Sequence, residues 1–226
     1  MEIKYICSLG NSCHTAYILK RNKLKLESYP FDWIISNCKM VKHCIEDNFH
    51  IFLDKNYYVS TQDGRKCRHT YYKEDVFYHH NPLKNEEFYE YYIRCVQRFQ
   101  DFLKKPEPKL FMMMITNITD TDVDKKLQDM KEETISLRNT FSKYTDNYTL
   151  LVIFHFPNKD VNYNNFSDSE DTNNKDTNMN NDINTYNNIH FLEIHTKSKS
   201  NGIAFECLDD NIYLRNILRS KYKFVL

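Results

Sequence analysis

Two apolar runs constrain this chain more than anything else in it: KLFMMMI at 109–115 and TLLVIFHF at 149–156. Both have strand length and neither alternates with polar residues, so each reads as a strand buried on both faces. That condition is met by a parallel sheet sandwiched between helices. Between the runs, residues 121–143 carry apolar side chains at 123, 127, 130, 137 and 141, the spacing of one helical face. Strand, helix and strand in this order predict a right-handed parallel βαβ unit. The expected fold is α/β, a mostly parallel central sheet flanked by helices, built as one domain over 1–226.

The remaining segments fit around that unit. Residues 3–9 (IKYICSL) read as a strand ended by Gly10, with Asn11 and Ser12 as N-cap types before a helix from Cys13 to Asn22. Asn37 can cap a helix that carries Met40, Val41, Cys44, Ile45, Phe49 and Phe52 on one face. NYYVSTQDGRKCRHTYY (56–72) predicts a hairpin excursion turning at Asp63-Gly64, and VFYHHNP (76–82) a short strand or loop stopped by Pro82. Residues 84–104 read as a long amphipathic helix, IHFLEIHT (189–196) as a further strand, GIAFECL (202–208) as one more, and 209–222 as a closing helix. Between them, 12 of residues 158–188 are Asn, so this stretch is expected to be a disordered, low-complexity surface insertion with no chemistry.

Charge narrows the function classes. Lys plus Arg and Asp plus Glu are equal at 31 each, which argues against a nucleic-acid surface. No apolar run approaches a membrane span, and the N-terminus lacks a secretory apolar stretch, so a cytoplasmic protein without membrane partners is expected. In that setting the 7 cysteines read as free, mostly small buried hydrophobes. Cys38, His43 and Cys44, or Cys67 and His69, lie close in sequence but form no paired CxxC knuckles, so no metal is expected. One glycine in SLGNSC is too few for a dinucleotide fingerprint, so no cofactor is expected. The Asn- and Lys-rich, Gly-poor usage fits an AT-rich genome such as that of a large DNA virus.

Cys13 is the exception among the cysteines. At a helix start just past a strand end, unpaired N–H groups and the helix dipole favour a thiolate and a developing oxyanion. Gly10 would permit the sharp turn and leave room for a substrate acyl group, with Asn11 and Ser12 beside it. A base is then needed. His79 and His80 stand adjacent after VFY; His155 and His195, ending apolar strands, are alternates, whereas His14 would point away from Cys13 around the helix. Asp32, Asp209 or Asp210 could orient the imidazole, and Trp33 could stack a sugar or base.

The stretch SLGNSCHTAYILKRNKLKLESYPFDWIIS (8–36) resembles the opening signature of the DUF1796 family, described as papain-like cysteine peptidases. It has Leu-Gly, a cysteine three residues after the glycine, an amphipathic helix and Ser-Tyr-Pro-Phe-Asp-Trp. The likeness continues through VFYHHNP, a basic pair at Arg94 and Arg98, and KLFMMMI. It implies a Cys13 nucleophile and a histidine base in VFYHH: His79 lies two residues after Phe77, as the family favours, while His80 stands where the family often has Asp. It also offers a papain-like α+β body as the alternative fold. The function so implied is a thiol hydrolase or acyltransferase acting on a peptide or other acyl substrate. The other reading is a non-catalytic α/β module that binds a sugar or nucleotide.

Overall fold

The computed structural model describes residues 1–119, 123–159, 161 and 184–225. Its strands are β1 (Glu2–Ile3), β2 (Tyr5–Ser8), β3 (Tyr58–Ser60), β4 (Cys67–His69), β5 (Glu74–Phe77), β6 (Lys109–Ile115), β7 (Tyr148–Phe156), β8 (Asn184–Tyr186), β9 (Ile189–His195) and β10 (Lys223–Phe224). Its helices are α1 (Cys13–Arg21), α2 (Cys38–Glu46), α3 (His50–Leu53), α4 (Glu86–Leu103), α5 (Val123–Tyr144) and α6 (Leu208–Lys221).

The main sheet has the order β2-β6-β7-β9-β8. Its first four strands are parallel, in a register that sets Cys7 beside Phe111, Phe111 beside Leu150 and Val152 beside Phe191. Both faces are covered, as the unbroken apolar runs require. Phe111, Met113, Leu150, Val152 and Phe154 share a core with Val41 of α2, Phe99 and Phe102 of α4, and Leu137 and Phe141 of α5. Their sequence neighbours Leu110, Met112, Met114, Leu151 and Ile153 point the other way and pack on Ile18 and Leu19 of α1 and Leu214, Ile217 and Leu218 of α6. This is the parallel α/β arrangement, and not the papain-like α+β body. Because the strands run in parallel, the segments following β2, β6, β7 and β9 all gather at one edge, the usual place for a site in such a sheet.

Phe111 anchors the first core. Its ring meets Phe141 at 4.3 Å, Phe102 at 5.3 Å, Tyr148 at 6.0 Å and Phe99 at 6.3 Å between centroids. Helix starts follow the polar signals: Asn37 Oδ1 accepts from the Met40 amide at 2.9 Å, and Asn85 Oδ1 from the Glu87 amide at 2.8 Å. Among the described residues no helix is long and apolar enough to cross a membrane.

Four expectations need correction. The first strand is split at Lys4 into β1 and β2, β1 pairing with β10 instead of joining the main sheet. The helix expected from Asn37 through Phe52 breaks at Asn48 and Phe49, both left-handed at φ 51° and 62°. The hairpin gains a third strand, β5, in the order β3-β4-β5. GIAFECL is not a strand, since the Asn211 side chain occupies its backbone, accepting from Phe205 N and donating to Phe205 O and Cys207 O. Of the Asn-rich stretch, residues 160 and 162–183 lie outside the described residues. Its last part forms β8, which turns back onto β9 through Asn187 and Asn188, both with positive φ (41° and 62°), the conformation of a tight hairpin.

The packing predicts that Phe111→Ala costs roughly 3–5 kcal/mol in urea unfolding. Ile93→Ala, at a position on α4 that is 42% exposed, should stay within about 0.5 kcal/mol of the native chain. Equal costs would show that the ring cluster does not hold the sheet and helices together.

Candidate active site

The turn that precedes Cys13 is held by the 31–36 loop, which reaches on to β5. The turn after β2 is left-handed at both Gly10 (φ 82°) and Asn11 (φ 73°). Ser36 fastens it: its hydroxyl donates to Leu9 O at 2.7 Å and accepts from Asn11 N at 2.9 Å. The Ser8 hydroxyl accepts from Gly10 N at 3.1 Å, and the Thr15 hydroxyl donates to Gly10 O at 2.7 Å. A Cβ on Gly10 would lie 2.2 Å from Ser36 Oγ and 2.7 Å from Phe31 O. The glycine thus makes room for the chain's own 31–36 loop, and not for a substrate as its position after a strand suggested.

That loop is itself held at both ends. Phe31 is buried against Phe99 (5.6 Å), Phe49 (5.8 Å) and Phe52 (6.4 Å). Asp32 pairs with Lys25 at 2.6 Å and accepts from Tyr29 N at 2.8 Å. Ile34 bridges to Phe77 at the end of β5, and Ile35 N donates to Val76 O at 3.2 Å. The chain leaves β5 directly into Tyr78, His79 and His80, so the PFDW loop links the cysteine turn to the histidine pair.

Within this frame Cys13 is the first residue of α1, following Ser12 as N-cap. It is only 7% exposed. Burial pushes its thiol up to about 11, while its own backbone N–H pulls the other way. No hydrogen bond joins its sulfur to a histidine among the described residues. The Ser12 hydroxyl is buried and makes no capping bond. Asn11 Nδ2 donates to Ser36 O at 3.4 Å, which ties it to the turn.

The two histidines differ. His79 is exposed, its ring edge-on to Trp33 at 6.3 Å, and Lys20 of α1 sits 5.9 Å over the same indole. His80 stacks on Tyr91 at 4.6 Å and stands edge-on to Phe88 and Tyr92. Burial and then His79 lower its pKa, so it is neutral at pH 7, and its Nδ1 is buried with no partner among the described residues. Neither imidazole is bonded to a carboxylate. Asp32 is committed to Lys25. Asp210 belongs to the opposite face of the sheet, at the start of α6, where it accepts from Ser198 N at 2.8 Å and Ser198 Oγ at 2.5 Å. Asp209, beside it in the first turn of α6, is exposed.

Sequence reasoning missed the polar network on that opposite face. His14 Nδ1 lies 2.8 Å from Ser200 Oγ, with the His14 ring against Phe205. Asn117 clamps Ser200, donating to its carbonyl and accepting from its amide, both at 2.8 Å. Asn117 N donates to His155 Nδ1 at 3.1 Å, which fixes the proton on His155 Nε2, 2.7 Å from Thr196 Oγ1. Burial holds His155 down to about 4 and His14 to about 3, so both are neutral at pH 7 and take part in these hydrogen bonds uncharged. The available signal was the polar residue just past each apolar strand: Asn117 after β6 and Thr196 after β9.

Two tests follow. Gly10→Ala combines a left-handed backbone with a clash, and should cost roughly 2 kcal/mol or more in chemical denaturation; a neutral effect would refute the docked turn. For His155, the unfolded chain takes up its proton near pH 6.5 and the folded chain only near 4. Its stabilisation is therefore complete above 6.5 and fades as pH falls towards 4, by on the order of 3 kcal/mol. Melting curves over that range should fall less steeply in His155→Ala than in the native chain; parallel slopes would refute the buried neutral imidazole.

The profile of the family described as "Putative papain-like cysteine peptidase (DUF1796)" matches residues 4–199. The match spans the cysteine turn, the PFDW loop, the histidine pair and the parallel strands β2, β6, β7 and β9. No curated protein and no solved structure gives a significant match. With most of its length so matched, the chain belongs to the DUF1796 family.

Proposed function

We propose that this protein is a thiol hydrolase or acyltransferase in which Cys13 attacks an amide or other acyl bond. The observation that carries the reading is the coupling of the Cys13 helix start to the His79–His80 segment through one short loop, 31–36. Cys13 Sγ adds to the acyl carbon, and its proton passes to an imidazole of the pair. The tetrahedral intermediate collapses to a thioester as the leaving group takes that proton. Water or a second nucleophile then releases the acyl group.

His80 is the preferred base. It is neutral at pH 7, and its Nδ1 has no other partner among the described residues. His79 and Trp33, on the exposed rim, contact the substrate. Asp32 shapes the loop through Lys25 instead of orienting the imidazole, and Asp210 holds the segment after β9. Because burial keeps the resting thiol protonated, the reaction depends on the base and not on a standing thiolate.

Iodoacetamide alkylation of Cys13, followed by peptide mass mapping across pH 6–10, tests this. His80→Ala should slow alkylation at pH 7 by about 10²-fold or more and shift the profile upward, with His79→Ala changing it by less than about threefold. The reverse ranking would move the base to His79. Indifference to both changes would favour the non-catalytic module, for which Trp33→Ala should then abolish ligand binding while Cys13→Ser does not.

A further inference from the structure

Buried polar groups almost always find a partner, so those that do not call for an explanation. Among the described residues that lack one are His14 Nε2, on the ring that meets Ser200 through Nδ1, and the Ser12 hydroxyl, His80 Nδ1 and the Tyr92 hydroxyl. The last three come from three separate segments: the turn before α1, the residues after β5, and α4. Of these three, Tyr92 is the most deeply buried, at 1% exposure. Its ring packs on Phe77 at 4.7 Å, the residue bridged to Ile34 of the loop that holds the cysteine turn. It also stands edge-on to His80 at 6.5 Å. Burial pushes the Tyr92 hydroxyl up, and after it Tyr91, Cys95, Tyr58 and Cys13 act in the same direction. A phenol there stays protonated and can only gain by donating to an acceptor that arrives.

On the reading of Cys13 as nucleophile, we propose that the Tyr92 hydroxyl donates a hydrogen bond to the acyl oxygen as Cys13 adds to the carbonyl, with the N–H groups at the start of α1 completing the oxyanion site. The backbone donors at the turn itself are spent, Gly10 N on Ser8 and Asn11 N on Ser36, which leaves the unpartnered hydroxyls of Ser12 and Tyr92. Of the two, the phenol of Tyr92 is the more acidic and so the stronger donor. In the step, the Cys13 S–C bond forms, the carbonyl π pair moves to the oxygen facing Tyr92, and the thiol proton goes to the imidazole base. Collapse of that oxyanion expels the leaving group.

The test compares two reagents on the full chain. p-Nitrophenyl acetate acylates through an oxyanion and releases p-nitrophenolate; iodoacetamide alkylates by displacement at carbon and forms none. Tyr92→Phe should slow acylation of Cys13 by about 10²-fold while changing alkylation by less than about threefold. Its melting temperature should match or exceed that of the native chain, because an unpaired buried hydroxyl has been removed. Equal slowing of both reactions, or of neither, would overturn the role of Tyr92 while leaving Cys13 as nucleophile. If the native chain shows no acylation at Cys13, or Cys13→Ala releases p-nitrophenolate at the native rate, the nucleophile reading itself falls and takes this role with it.

Discussion

One hydroxyl holds the candidate site in place. Ser36 Oγ bonds both sides of the Gly10 turn, donating to Leu9 O and accepting from Asn11 N, and it occupies the space a Cβ on residue 10 would need. Only glycine allows that approach at φ 82°. Ser36 ends the loop that Phe31 anchors in the aromatic core and that Ile34 and Ile35 attach to β5. The position of Cys13 relative to the histidines is therefore set by a short chain of contacts, all seated on the sheet's aromatic face.

The parallel sheet gives this arrangement its direction. Every loop after a parallel strand reaches the same end of the sheet. In the turn before α1, the residues after β5 and α4, the side chains of Ser12, His80 and Tyr92 leave polar atoms unsatisfied. Beside them, His14, Asn117, His155, Thr196, Ser198, Ser200 and Asp210 bond to one another, with His14 Nε2 left without a partner among the described residues. Unsatisfied groups are costly in a buried environment. Ser12, His80 and Tyr92 each leave such a group open, and on the proposed reading a substrate's polar atoms would pair there.

Much of this was legible in the sequence, for definite reasons. The strands at 109–115 and 148–156 were readable because burial on both faces demands unbroken apolar runs, and α4 because its apolar residues recur at helical spacing. The start of α1 followed from Gly10 and the cap residues. What could not be read depended on side chains distant in sequence. The break after α2 needs Phe49 in a left-handed conformation that no local signal announces. GIAFECL has strand composition, but Asn211 takes its backbone groups. Gly10 was correctly placed in a sharp turn, yet the occupant of the space beside it, Ser36, lies 26 residues away. Tyr92 is one of 17 tyrosines, and only the packing of α4 singles it out.

The central claim, that position and not accessibility makes Cys13 the reactive thiol, meets its most direct test in a competition among the chain's own cysteines. Six of the seven are buried and Cys207 is half-buried, so accessibility alone would favour Cys207. The native chain would be treated with a substoichiometric peptidyl vinyl sulfone at pH 7 and all seven positions quantified by peptide mass mapping. The account predicts modification at Cys13 well ahead of Cys207. Modification led by Cys207, with Cys13 untouched until the chain unfolds, would contradict it.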